Sequence, residues 1–248
     1  MYNNNTGTNL IIDIGNTLTK LALFSKDEII AIEKHEKLSD SLLEKFINNH
    51  KVIGAIVSSV THDIPDLKKL FTKKIPILNF DSATPIPIKS YYKTPKTLGV
   101  DRLALAVAAN SLYPNQNALA IDCGTALTFD FVNSNNDYMG GAISPGINTR
   151  FRALHHFTSK LPLIKINESY PIIGDDTSNC ILSGVLNGVI NEVDGYIDMV
   201  KQSFPDLKVV FTGGESFFFD KKLKNSIFVH PNLLLFGLNR ILKHNVEQ

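Results

Sequence analysis

Two short stretches of this sequence carry the same device. Leu10-Ile11-Ile12 runs into Asp13-Ile14-Gly15-Asn16-Thr17, and Leu119-Ala120-Ile121 runs into Asp122-Cys123-Gly124-Thr125. In each, an apolar run ends in a carboxylate, followed by a glycine and a hydroxyl. A second β-rich run then comes: Leu18 to Phe24 in the first case, Thr128 to Val132 in the second. Glycine and asparagine accept turn geometry that other residues resist. Each stretch therefore predicts a β-hairpin with an aspartate at the end of its first strand.

The order of elements after each hairpin also repeats. After the first come a strand at Glu28 to Lys34, a helix at Ser39 to Asn49 and a strand at Val52 to Val60. The helix carries Leu42, Leu43, Phe46 and Ile47 on one face, with Ser39 as a candidate cap. A short helix at Ile64 to Phe71, with Pro65 near its start, and a strand at Ile75 to Phe80 complete the order. Thr84-Pro85-Ile86-Pro87 then breaks regular structure, and Arg102 to Leu112 reads as an alanine-rich helix. The second half offers a third strand at Met139 to Ile143, a short helix near Thr149 to Phe157 and a long helix from Thr177 to Val200. Next are a strand at Lys208 to Phe211, a helix at Ser216 to Lys224, a strand at Ile227 to His230 and a closing helix at Leu233 to Lys243. The expectation is a duplicated α/β domain, 1–114 and 115–248, divided near Pro114 to Asn117.

The bulk properties narrow the class. A chain of 248 residues with 44% hydrophobic and 20% charged content fits a globular protein that needs no covalent staple. With 25 basic and 24 acidic residues the net charge is +1, which gives no electrostatic reason to expect nucleic acid or an anionic membrane as partner. Two cysteines, Cys123 and Cys180, make neither a disulfide framework nor a metal site, and their scarcity fits a reducing compartment. Met1 to Asn9 lacks the basic and apolar regions of a secretory signal. No apolar run approaches the ~18 residues of a membrane span, so the cytoplasm is the expected location.

The two acidic hairpins suggest a chemistry. A glycine at the turn lets an anion approach the backbone, and the turn's N–H groups can point into one concavity and hold phosphate oxygens. A threonine hydroxyl adds a neutral donor. An aspartate repels phosphate directly, but it can hold a cation, or a cation's water, that neutralises phosphate. Two such loops facing across a cleft make a metal–nucleotide clamp. Asp-x-Gly alone is also a common turn, and neither a Walker A sequence nor G-x-G-x-x-G is present.

Five segments occur in a fixed order: D-I-G-N-T at 13–17, G-V-D-R at 99–102, D-C-G-T at 122–125, G-G-A-I-S-P-G at 140–146 and T-G-G at 212–214. In this the chain resembles the type III pantothenate kinases of the acetate and sugar kinase/actin superfamily, from about Leu10 to Leu242. The resemblance implies an α/β fold of two duplicated ribonuclease-H-like (actin-like ATPase) domains with ATP between them, and a homodimer. It implies phosphorylation of pantothenate to 4′-phosphopantothenate, the first step toward coenzyme A. The alternatives are a non-catalytic Bvg-accessory-type regulator of the same family, or a kinase for another small molecule.

The resemblance also assigns roles. Asp101 takes the proton of the substrate hydroxyl; read alone, it is equally an N-cap for the helix that begins beside it. Gly99, Val100, Asp101 and Arg102 contact pantothenate, whose carboxylate suits a planar arginine fork. Read alone, Arg102 is a solvated arginine at a helix start. Tyr92 matches a substrate-contacting tyrosine, or is a packed loop aromatic. Asp13 holds Mg²⁺ through water, and Ile14, Gly15, Asn16, Thr17, Leu18, Thr19 and Lys20 line the phosphates. Asp122 matches the site of a monovalent cation, K⁺ or NH₄⁺. Thr125 matches an ATP contact, and Gly213 and Gly214 match the adenosine loop. Thr177 matches a pantothenate contact from the partner subunit, or is a helix N-cap. The long helix carries Ile181, Val185, Val189, Val193 and Ile197 in one row and Leu182, Leu186 and Ile190 in another, with Gly184 and Gly188 permitting close approach. A buried core helix and a dimer seam both account for these rows.

Two positions depart from the family pattern. Leu127 stands where a threonine is usual, which removes a potential phosphate donor. Asp176 stands where an asparagine is common, which adds negative charge near an anionic substrate. His155-His156 reads as a solvated helix pair and Cys123 as a small buried filler.

Overall fold

The computed structural model describes residues 7–60, 66–71, 74–167 and 169–246. The chain divides into two compact units, one of Met1–Ser111 with Leu233–Gln248, the other of Leu112–Asn232. The sequence suggests a single cut near Pro114 to Asn117. The chain instead returns at its end to the first unit, because its last helix packs on the first sheet.

The first unit contains strands β1 (Thr8–Ile14), β2 (Thr19–Ser25), β3 (Glu28–His35), β4 (Val52–Ser59) and β5 (Ile77–Asn79). They form one sheet in the order β3-β2-β1-β4-β5. β1 to β3 are an antiparallel meander, whereas β4 lies parallel to β1 and β5 parallel to β4. Side chains alternate between the faces of a strand. Leu10, Ile12 and Ile14 therefore share one face with Leu21, Leu23, Ala55 and Val57, packed with Leu43 and Phe46 of helix α1 (Asp40–Ile47). Ser39 caps α1 as expected, its Oγ accepting from Leu42 N–H at 3.3 Å.

The opposite face carries Ile11, Asp13, Ile56 and Ser58, and the closing helix packs on it. The short strand β6 (Lys89–Ser90) precedes helix α2 (Val100–Leu112). Among the described residues of the helix expected at Ile64 to Phe71, there is a 3₁₀ turn at Leu67–Leu70, with Leu67 buried. Ile64 and Pro65 lie outside the described residues.

The second unit repeats the plan. Strands β7 (Ala118–Cys123), β8 (Ala126–Val132) and β9 (Asp137–Pro145) form the antiparallel meander, and β10 (Lys208–Thr212) and β11 (Phe228–Val229) add parallel neighbours. Within this unit the order is β9-β8-β7-β10-β11, the same as in the first. Leu119, Ile121, Cys123, Leu127, Phe129 and Phe131 build a core with Ile147 and Phe151 of α3 (Ile147–Phe157). Helix α4 (Thr177–Ser203) covers it.

Both apolar rows of α4 face this core: Ile181, Val185, Val189, Val193 and Ile197 are buried, as are Leu182 and Leu186. A Cβ added at Gly184 or Gly188 meets nothing within 4 Å, so these glycines are not required by packing within the unit. The helix expected at Ser216 to Lys224 stops after a 3₁₀ turn at Ser216–Phe219. The chain beyond it is held by a side chain rather than by helical bonds. Asp194 of α4, 3% exposed, accepts from the backbone N–H groups of Lys224 and Asn225 and from Asn225 Nδ2.

Helix α5 (Leu233–Val246) closes the chain on β1 and β4. Asn9 Nδ2 donates to Asn239 Oδ1 at 2.9 Å, and Phe236 meets Phe24 edge-on at 5.1 Å between centroids. A Cβ at Gly237 would collide with the carbonyl of Ala104, so glycine lets α5 press against α2.

Candidate active site

In the first unit the functional groups gather where β1 ends and α2 begins. Asp13 is the penultimate residue of β1 and only 7% exposed. Burial of its carboxylate pushes its pKa up to about 6 from 3.8, opposed by the charge of Lys20 and reinforced by that of Asp101. Lys20 pairs with Asp13 in the β1–β2 register, which explains its proximity. The hairpin tip is closed by Gly15 N–H donating to Leu18 O at 3.1 Å. Asn16, Thr17 and Leu18 are exposed there, while Thr19 is buried.

Asp101 lies inside the first turn of α2, which begins at Val100, so it is not the cap residue that the sequence alone allowed. Its Oδ1 accepts from Arg102 N–H at 2.9 Å, which fixes the carboxylate on the helix start. Gly99 makes room for it, since a Cβ there would strike Asp101 Oδ1. Arg102 is 6% exposed, so it is no solvated surface arginine. Its guanidinium carbon stands 5.9 Å from the centroid of the Tyr92 ring, within cation–π range. Tyr92 is half-buried.

In the second unit three loops are sewn together around Asp122. Asp122 is the penultimate residue of β7, paired with Thr212 of β10. Gly213 comes next at φ +93°, and a Cβ on it would collide with Asp122 Oδ1 and the Cys123 carbonyl. Glu215 N–H donates to that same carbonyl at 3.1 Å. Thr125 is exposed, but its carbonyl accepts from Gly146 N–H at 3.1 Å and from Thr149 Oγ1 at 2.7 Å. Glu215 completes the knot by accepting from Asn148 Nδ2 and from Ile147 N–H at the start of α3. Burial raises the Glu215 pKa against these bonds. Gly214 is exposed. Cys123 is 1% exposed, and burial pushes its thiol pKa up, so it is the inert filler expected.

Thr177 is the first residue of α4, and the cap is Asp176, whose Oδ1 accepts from Asn179 N–H at 2.8 Å. The added carboxylate at 176 is thus occupied in holding the helix start. Thr177 is exposed and borders a groove of about 1010 Å³ lined also by Arg150, Leu154, Leu161, Cys180 and Gly184. His155 Nδ1 lies 2.8 Å from Leu161 O, which makes it a local contact on α3.

The family model described as type III pantothenate kinase matches residues 9–199. The chain belongs to the type III pantothenate kinase family. A type III pantothenate kinase of Bacteroides fragilis is 44% identical over 239 residues, covering 96% of this chain and 98% of the relative. One of Christiangramia forsetii is 43% identical over 244 residues, covering 97% and 100%. Among solved structures, component A of (R)-2-hydroxyglutaryl-CoA dehydratase from Acidaminococcus fermentans superposes with a TM-score of 0.55 at 14% identity, covering 96% of this chain and 97% of that one. That likeness shows the actin-like α/β fold alone.

Membership in a kinase family implies ATP, and the residues present fit its ions. A buried carboxylate held close to a second one, as Asp13 is to Asp101, is a site that a cation relieves. Asp122 Oδ1 and the Cys123 carbonyl pack closely against Gly213, which has no Cβ to displace them. Leu127 is 1% exposed and packed in the core of the second unit. Two polar residues at these sites are not apparent from sequence. Glu215 directly follows T-G-G, and Ser58 lies near the end of an apolar strand. None of the described helices is long and apolar enough to cross a membrane.

Proposed function

We propose that this chain transfers the γ-phosphoryl group of ATP to the primary hydroxyl of pantothenate, giving 4′-phosphopantothenate and ADP. Asp101 carries this reading. Its carboxylate accepts from the N–H of the buried Arg102 at 2.9 Å, and its charge is felt by the desolvated Asp13. Phosphoryl transfer asks mainly for positioning and charge neutralisation. Asp101 accepts the hydroxyl proton as the oxygen bonds to the γ-phosphorus, and the bond to the β–γ bridging oxygen breaks. Arg102, held against Tyr92, takes the pantothenate carboxylate in its fork, with Gly99 and Val100 at its side.

Asp13 holds Mg²⁺ through water, and the loop from Ile14 to Lys20 receives phosphate oxygens. Magnesium supplies neutralisation of the charge that develops on the transferred group. Asp122 holds a monovalent cation, potassium or ammonium. Thr125 reaches the nucleotide, and Gly213 and Gly214 leave room for the adenosine.

A homodimer fits the same reading. Thr177 and Gly184 border an apolar groove, and a second copy that covers α4 would bring Thr177 to its partner's substrate. Sedimentation at micromolar concentration tests this, and a monomer would remove Thr177 from the site. A cytoplasmic location accords with free cysteines at 123 and 180.

The deciding experiment is the purified protein with ATP, magnesium and pantothenate, with and without potassium. Formation of 4′-phosphopantothenate and ADP is expected, faster with potassium. Nucleotide binding without product would favour the regulatory alternative, and turnover of a different hydroxylated substrate would favour another small-molecule kinase.

A further inference from the structure

Ser58 stands near the carboxyl end of β4, in direct register with Asp13 on the parallel strand β1. Residues paired across adjacent strands project on the same face. The two side chains therefore lie side by side, on the face opposite the Leu10–Ile12–Val57 core. β5 reaches only to Asn79, in register with Val57, so on this sheet Asp13 is the paired strand neighbour of Ser58. Ser58 is 0% exposed, and among the described residues its Oγ has no hydrogen-bond partner. The residues just before it, Ala55, Ile56 and Val57, are apolar and equally buried. Alanine at 58 would suit the packing better, because a buried hydroxyl without a partner costs stability. A hydroxyl kept there at a cost, one strand away from the aspartate of the first motif, calls for a use in the loaded state.

We propose that Ser58 is a positioning residue for Asp13: its hydroxyl donates to one carboxylate oxygen and leaves the other for the water shell of the nucleotide's magnesium. The inference rests on the magnesium-holding role proposed for Asp13. In the unliganded protein the hydroxyl is idle. In the loaded protein it removes one of the two rotational choices of the carboxylate and satisfies the oxygen that the cation does not use. Ser58 touches no reacting atom, so its effect falls on the binding of the magnesium nucleotide and not on the alcohol.

Ser58→Ala and Ser58→Thr test it. Without ligand, Ser58→Ala melts at or above the wild-type temperature. Its KM for Mg-ATP and its magnesium activation constant rise on the order of tenfold, the usual effect of one lost hydrogen bond to a charged group. Its KM for pantothenate stays put, and the thermal shift given by Mg-ATP alone shrinks. Ser58→Thr, which keeps the hydroxyl, restores the Mg-ATP constants toward wild type. Wild-type Mg-ATP constants and a full thermal shift in Ser58→Ala would overturn the proposal. So would a parallel rise in both KM values accompanied by a lower melting temperature, which marks a purely structural serine. Asp13→Asn separates the two readings. If it binds Mg-ATP as wild type does, the role of Asp13 itself fails; if it loses binding while Ser58→Ala keeps it, only the role of Ser58 fails.

Discussion

Gly213 lies so close to Asp122 that a single added carbon on the glycine would strike the carboxylate oxygen Oδ1. The backbone at Gly213 is also left-handed, at φ +93°. Gly213→Ala therefore meets two obstacles, steric overlap and an unfavourable dihedral, which together cost about 1–3 kcal/mol. A lower melting temperature and weakened ATP binding by calorimetry are expected, because the displaced partners are Asp122 and the Cys123 carbonyl. Gly214→Ala, where a Cβ meets nothing within 4 Å, is the control that keeps wild-type stability.

Asp13 sets a conflict between stability and function. Its pKa in the folded chain, about 6, lies above the ordinary 3.8 of the unfolded chain. For an acid this means that the folded state holds the proton more tightly. The resulting penalty is absent below about pH 4, grows as pH rises and is complete above about pH 6. The raised pKa corresponds to an upper bound of about 3 kcal/mol. Asp13→Asn in the unliganded protein should therefore raise the melting temperature at pH 7.5, and should flatten the loss of stability between pH 4 and 6. Turnover should fall to background in the same variant. A variant no more stable than wild type at pH 7.5 would show that the carboxylate is better solvated than its 7% exposure implies.

Asp101→Asn tests the proton acceptor. The amide oxygen can still accept from Arg102 N–H, so folding and Mg-ATP binding should persist. The rate of product formation should drop by a factor on the order of 10²–10⁴. Unchanged turnover would remove Asp101 from the chemistry.

Arg102 tests recognition of the substrate's anionic end. Arg102→Lys keeps the charge but loses both the planar fork and the ring contact with Tyr92. The KM for pantothenate should rise by at least about tenfold, with the KM for ATP little changed. Steady-state kinetics with each substrate varied in turn separates these constants.

Asp194 governs the segment that follows Gly213, Gly214 and Glu215. Burial alone would raise its pKa, yet hydrogen bonds from Lys224 and Asn225 outweigh it and lower it overall. A lowered carboxylate pKa contributes stability that is present above the unfolded value and lost as pH falls through the folded one. Asp194→Ala should destabilise the protein by about 2–4 kcal/mol and remove part of its acid sensitivity below pH 4. Urea melts at pH 7 and pH 3.5 measure both effects.

Much of this architecture is readable in the chain. The two hairpins and their aspartates can be placed because strand–glycine–strand punctuation is local, and the repetition of element order exposes the duplication. Features that depend on distance cannot be read. The apolar stripe of α5 announces a covered face but does not say which sheet covers it. At Gly174-Asp175-Asp176-Thr177 several residues compete as caps, and geometry selects Asp176 where the sequence pattern offers Thr177. Asp101 likewise lies one step inside its helix. Ser58 is hidden for a different reason. In a buried strand a serine looks like any small residue, and only the register with Asp13 shows which group it stands beside. Glu215 is hidden because its partners Ile147 and Asn148 belong to the start of α3, nearly seventy residues away in the chain.

The return of α5 to the first unit has a consequence for how the protein is made. Leu235, Leu238, Ile241 and Leu242 are fully buried there, yet they leave the ribosome only after every residue of the second unit. The β1–β4 surface behind Asp13 must therefore wait, uncovered, until α5 emerges, while the second unit has already emerged whole. A nascent chain stalled or clipped before Leu233 would carry a finished second unit joined to an open, chaperone-seeking first one, and damage to α5 would be felt at the strand that carries Asp13.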